Sequence, residues 1–207
     1  DADGIVGNWE LTRGGEAGWM PFVQAQPDGP PNAATGDLGE LKLYMFGRAD
    51  YDVAAFDPAK DQAALHATPF AREYEAAQAR LDPFLRRGGK LLLWHGFDDP
   101  GPSPYATIDY FEQARRANRA GAAIRLFVVP GVYHCRGGPG PDDFDLIDAM
   151  DAWVESGTAP ERIAARNSQS GAERPLCAWP ALPYYKGSGA PDRLASFECR
   201  APAGPMR

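Results

Sequence analysis

The 207-residue chain has no serine before Ser103 and no cysteine before Cys135. No stretch approaches the ~20 consecutive apolar residues that a membrane-spanning helix needs, so no membrane partner is expected. Excess positive charge is also missing. Lys and Arg number 21 against 28 Asp and Glu, and the net charge of −7 argues against a nucleic-acid backbone as partner. The opening Asp1-Ala2-Asp3 is not the basic and then apolar run of a signal peptide. If the protein is secreted, its export signal has been removed or lies outside these residues. Cysteine is sparse, with only Cys135, Cys177 and Cys199. In an oxidising compartment an odd count leaves one thiol free or paired outside the chain. A zinc site built on these cysteines is disfavoured by their spacing.

What is present is an ordinary globular balance, 44% hydrophobic and 24% charged, in a chain long enough for one domain with a core. The 23 Gly and 20 Pro concentrate in loops around 26–36, 96–104 and 137–141, where a loop-rich protein tends to place its chemistry. Residues 1–40 show no sustained period and read as irregular structure lying on another surface. Residues 41–46 form a short apolar run, strand or helical turn. Residues 57–82 have a helical composition interrupted near Pro69.

Residues 88–157 are more regular. The run Lys90-Leu91-Leu92-Leu93-Trp94-His95 after Gly88-Gly89 predicts a buried parallel strand. Ser103-Pro104 predicts an N-cap with proline in the first turn, followed by Ile108, Phe111, Ala114 and Ala117 at helical spacing. Arg125-Leu126-Phe127-Val128-Val129 predicts a second buried strand, ended by Pro130-Gly131. Asp142-Asp143 can cap a helix whose apolar face is Leu146, Ile147, Met150, Trp153 and Val154, with Gly157 closing it. The alternation implies an α/β fold with a parallel sheet and covering helices.

In such sheets reactive groups collect in the loops beyond the strand C-termini. Two loops stand out, one carrying Asp98 and Asp99, the other His134 and Cys135. A lone His after a strand is more often structural, and an Asp in a Gly/Pro loop is more often a turn residue. Asp99 and His134, 35 positions apart with one helix between, instead form the tail of a Ser…Asp…His order. In that arrangement the His shuttles the serine proton and the Asp holds the imidazole tautomer.

The segment from Gly89 through Pro100, with Ser103-Pro104 and Thr107-Ile108-Asp109-Tyr110, resembles the tannase and feruloyl esterase family. So do Val129-Pro130-Gly131-Val132-Tyr133-His134-Cys135, Gly137-Gly138-Pro139-Gly140-Pro141, Arg174-Pro175-Leu176-Cys177 and Ser196-Phe197-Glu198-Cys199. The resemblance covers about residues 38–199. It implies the C-terminal part of an α/β-hydrolase with an incomplete sheet (residues 38–207), preceded by a loop-rich lid remnant (residues 1–37). It also implies a secreted or periplasmic serine carboxylesterase for aromatic esters such as gallates or ferulates, needing no cofactor for its chemistry.

Matched residue by residue, the family's acid falls on Asp99 and its base on His134. Asp98 stands where the family more often has a small residue, and it is the alternative acid if the match shifts by one. Cys135 matches the half-cystine that the family joins to a Cys beside its nucleophilic Ser; its competing reading is a small buried hydrophobe. Cys177 and Cys199 match a family disulfide, whose loop of about 23 residues gains about 3 kcal/mol from closure in the chain-entropy model. Asp3 and the carbonyl of Ile5 match ligands of a structural Ca²⁺ site, against the plainer reading of an Asp-Gly turn. The nucleophile element is absent as a whole, serine and cysteine together, so the expected partner is a missing N-terminal portion or a separate chain. The competing function is a non-catalytic module that binds an aromatic ligand or a partner chain.

Overall fold

A strand buried on both faces needs an apolar residue at nearly every position, and two runs in this chain meet that demand. The computed structural model describes residues 12, 15–19, 42, 47–52, 55, 57–118 and 122–204, which fall into two compact units. The first unit comprises residues 1–7 and 19–78, the second residues 8–18 and 79–207.

In the first unit the stretch of helical composition is interrupted at Pro69, as expected. Helix α1 spans Pro58–His66 and α2 spans Pro69–Tyr74. Each begins with a proline behind an extended capping residue. Asp57 accepts the Ala59 amide at 3.0 Å, and Thr68 accepts the Ala71 amide at 3.1 Å. A residue before proline is forced out of helical geometry, so Thr68 ends one helix and caps the next.

The second unit carries the predicted strands. Short α3 (Asp82–Leu85) leads into β1 (Leu91–Gly96), α4 (Pro104–Asn118) and β2 (Ile124–Val129). β1 and β2 pair in parallel, from Leu91 opposite Ile124 to Gly96 opposite Val129. Side chains of β2 alternate between two clusters. Ile124, Leu126 and Val128 pack with Ile108, Phe111 and Ala114 of α4. Phe127 and Val129 pack on the other side with Ile163 and Leu176. Ile124, Leu126, Phe127 and Val129 are fully buried, each contributing about 1.5–3 kcal/mol.

Downstream, β3 (Asp143–Phe144), β4 (Arg162–Arg166) and β5 (Glu173–Cys177) form an antiparallel sheet in that order, with α5 (Leu146–Ser156) between β3 and β4. β6 (Leu182–Tyr185) and β7 (Phe197–Arg200) form an antiparallel pair. The expected cap of α5 is corrected by three residues. Asp145 caps it, accepting the Ile147 and Asp148 amides at 2.9 Å each, while Asp143 lies in β3. Gly157 ends the helix with φ +73°, as its position predicted. The predicted apolar face of α5 is also corrected. Trp153 is 1% exposed, but Ile147 and Val154 are 73% and 58% exposed.

Candidate active site

Both chemistry-bearing loops leave the C-terminal ends of the parallel strands. Gly96, at the end of β1, lets them meet, because a Cβ there would run into the carbonyl oxygens of Val132 and Tyr133. The loops are stitched by Phe97 N to Val129 O at 2.8 Å and Asp98 N to Val132 O at 3.1 Å.

Asp99 is 4% exposed. Its Oδ1 accepts the Gly101 amide at 2.8 Å, and its Oδ2 lies 2.9 Å from His134 Nδ1 and 3.3 Å from His95 Nε2. Burial pushes the carboxyl toward its neutral form, but the hydrogen bonds from His95, His134 and the Gly101 amide outweigh it and hold the pKa below the ordinary value. The carboxylate is therefore ionised at neutral pH. The His134 side chain, by contrast, is 44% exposed. One ring edge faces a buried anion, and the ring as a whole remains reachable from solvent.

Asp98 turns elsewhere. Its Oδ1 lies 3.2 Å from Thr12 Oγ1, and the Gly131 amide also hydrogen-bonds its carboxyl. Burial raises its pKa, aided by the nearby Glu16 charge and opposed by the Thr12 and Gly131 hydrogen bonds. Thus Asp99 is the acid that meets the His134 ring at hydrogen-bond distance. Residues 1–40 were expected as irregular structure lying on another surface. Within this unit three of them meet the two loops: Thr12 is 2% exposed and bonds Phe97 O, Gly15 lies against Asp98, and Gly18 lies against the Tyr133 ring.

Cys135 adopts φ +62°, uncommon for a non-glycine residue, and the Arg136 amide bonds His134 O at 2.8 Å across it. The surrounding loop is braced by two buried side chains that sequence reasoning missed. Asp142, 6% exposed, accepts from the Gly137 amide, the Ser168 amide and Ser168 Oγ at 2.9, 2.8 and 2.9 Å. Burial raises its pKa, but these bonds prevail and lower it. Asn167, 5% exposed, donates to Gly138 O and Gly140 O at 3.1 and 2.6 Å. In the sequence Asp142 reads as a helix cap and Asn167 as a polar turn position, and neither carries a signal of this bracing role.

Cys177 and Cys199 form a disulfide with Cα atoms 5.5 Å apart. Cys135 is exposed and unbridged within the chain, which removes the reading of it as a small buried hydrophobe. Asp3 and Ile5, the expected Ca²⁺ ligands, lie outside the described residues. Among the described residues no group of three or more His, Cys, Asp or Glu could hold a metal ion.

Four similarities to known proteins bear on the chain. A family model described as tannase and feruloyl esterase matches residues 16–200. A mono(2-hydroxyethyl) terephthalate hydrolase from Piscinibacter sakaiensis is 43% identical over 61% of this chain and 22% of its own length. An uncharacterized esterase from Xanthomonas campestris pv. campestris is 34% identical over 87% of this chain and 39% of its own length. The chain thus spans well under half of these curated relatives. A solved esterase from Aspergillus oryzae superposes with a TM-score of 0.75 at 22% identity, over 92% of this chain and 42% of that one, a likeness of fold.

Proposed function

The chain belongs to the tannase and feruloyl esterase family, and we propose that it supplies the acid and the base of a serine carboxylesterase for aromatic, phenolic-acid esters such as gallates or ferulates. The observation that carries the reading is the 2.9 Å contact between half-exposed His134 and buried, ionised Asp99. The serine comes from other sequence, in the same polypeptide or a separate chain. The aromatic acyl group draws support from relatives named for terephthalate, feruloyl and tannin esters.

His134 Nε2 accepts the serine proton as the serine oxygen attacks the ester carbonyl carbon. The imidazolium keeps its Nδ1–H on Asp99, whose charge stabilises it without taking the proton. Nε2–H then protonates the departing alcohol. Water, activated by the same imidazole, hydrolyses the acyl-enzyme. In this reading Cys135, exposed beside His134, forms the disulfide that clamps base to nucleophile, and the Cys177–Cys199 bridge fits a secreted or periplasmic protein.

His134→Ala in the complete protein should reduce kcat at least about 1,000-fold while leaving the melting temperature unchanged. Substantial residual hydrolysis of methyl ferulate or methyl gallate would sink the assignment. Disulfide mapping of the same protein should find Cys135 bridged to a peptide outside these residues.

A further inference from the structure

His95, next to last in β1, has a side chain 12% exposed. Its Nε2 lies 3.1 Å from Pro102 O and 3.3 Å from Asp99 Oδ2. A carbonyl and an ionised carboxylate only accept, so Nε2 carries the hydrogen. Its Nδ1 lies 2.7 Å from Thr107 Oγ1 on α4. A hydroxyl can donate, so a neutral ring is satisfied at both nitrogens with its tautomer set by Thr107 and Pro102. A buried His serving only to fill space has no need of the acid's oxygen. Here Nε2, whose hydrogen Pro102 O accepts, also stands 3.3 Å from Asp99 Oδ2, the oxygen that meets His134.

We propose that His95 is a positioning residue for the esterase reaction. Its Nε2–H, bonded to Pro102 O, also lies beside Asp99 Oδ2 at an N···O distance of 3.3 Å, and its positive end there steadies the carboxylate and moderates the oxygen that orients His134. The inference rests on the reading of Asp99 and His134 as acid and base. Carboxylate torsions are broad, and the Gly101 amide alone holds only Oδ1. With His95 beside Oδ2, each carboxylate oxygen has a neighbouring N–H that restrains it independently of His134. A displacement of about 1 Å in such a group can cost on the order of 100-fold in rate. Among the described residues, the titratable groups that face Asp99 are His95 on β1 and His134 on the loop after β2, with Asp98 next to it in the chain and Glu16 of the 3₁₀ turn Glu16–Gly18 acting on Asp98.

The test uses the complete, serine-bearing protein, with methyl ferulate as substrate and ¹⁵N-histidine NMR alongside. His95→Phe should lower kcat about 10- to 100-fold with KM within about twofold, the size expected for loss of a supporting hydrogen bond. Relieved of its second donor, the Asp99 oxygen accepts more strongly from the imidazolium, so the acid limb of the kcat/KM profile moves to higher pH. His95→Gln, which can restore an N–H, should recover most of the lost kcat. The His134 Nδ1–H proton should exchange faster with water in His95→Phe than in wild type. Unchanged kcat and acid limb in a folded His95→Phe protein would overturn the proposal, as would equal losses for Phe and Gln with an unmoved profile. If wild type hydrolyses no aromatic ester, the functional reading falls by itself, and the exchange rate decides: faster exchange supports the positioning contact, unchanged exchange overturns it. Should His95→Phe not fold, Thr107→Val decides by the same readouts, because it frees the His95 tautomer while leaving both rings in place.

Discussion

Replacing Asp142 by Asn tests whether the base loop is held by a buried charge. The carboxylate receives three donors, two on Oδ2 (Gly137 N and Ser168 Oγ) and one on Oδ1 (Ser168 N). An asparagine can offer one oxygen. If that oxygen keeps Ser168 N, its NH₂ faces the Gly137 amide and two donors confront each other. A buried donor left without an acceptor costs about 1–3 kcal/mol, and more when the lost acceptor was charged. The loss should therefore be about 2–3 kcal/mol at neutral pH, well outside the ~0.5 kcal/mol typical of surface changes. The sign with pH follows from linkage. Asp142 has a folded pKa below its unfolded value, so its contribution is complete above the unfolded value of about 3.9 and is lost as pH falls through the folded pKa. Urea unfolding of wild type and Asp142→Asn should thus give a gap that is full at pH 7 and closes below about pH 4. Amide exchange at Gly137 should accelerate in the variant at pH 7. A gap under ~0.5 kcal/mol, or one that persists undiminished in acid, would refute the reasoning.

Three further substitutions probe the acid and the crossing of the loops. Asp99→Asn should cut kcat by about 10⁴-fold, as loss of the triad acid does elsewhere, whereas Asp98→Asn should leave kcat within about threefold and raise the melting temperature at neutral pH by removing a half-buried charge near Glu16. A reversal of those two kinetic outcomes would assign the acid to Asp98. Gly96→Ala places a methyl against the carbonyls of Val132 and Tyr133, backbone that cannot swing aside, so it should cost about 1–3 kcal/mol and lower kcat by separating Asp99 from His134. A folded, fully active Gly96→Ala protein would show that the loop crossing is softer than its geometry.

The parts of the fold legible in the sequence are those where burial restricts residue type. β1 and β2 bury side chains on both faces, so their apolar runs mark them as strands from residue type alone. The meeting of Asp99 with His134 was legible because the loops after parallel strands are few and each carries a titratable side chain. β4 and β5 were not read. Their inward residues, Ile163, Ala165 and Leu176, are interleaved with arginine, alanine and proline, and no long run marks them. The start of α5 was misplaced because several acids precede it and any of them could cap a helix; only the fold reveals that Asp142 is already committed to Gly137 and Ser168. The two braces share that cause. Asp142 and Asn167 act on the loop by accepting from or donating to its backbone, and backbone groups look the same at every position. His95 is intermediate: its place in the strand was visible, but its approach to Asp99 depends on the turn at Gly101, which brings the acid back over the end of β1. Reactive groups are thus announced by their own chemistry, whereas the groups that hold them declare themselves only through the donors and acceptors they satisfy. Positioning residues such as His95 are therefore to be sought first among the buried polar side chains within hydrogen-bond reach of the acid.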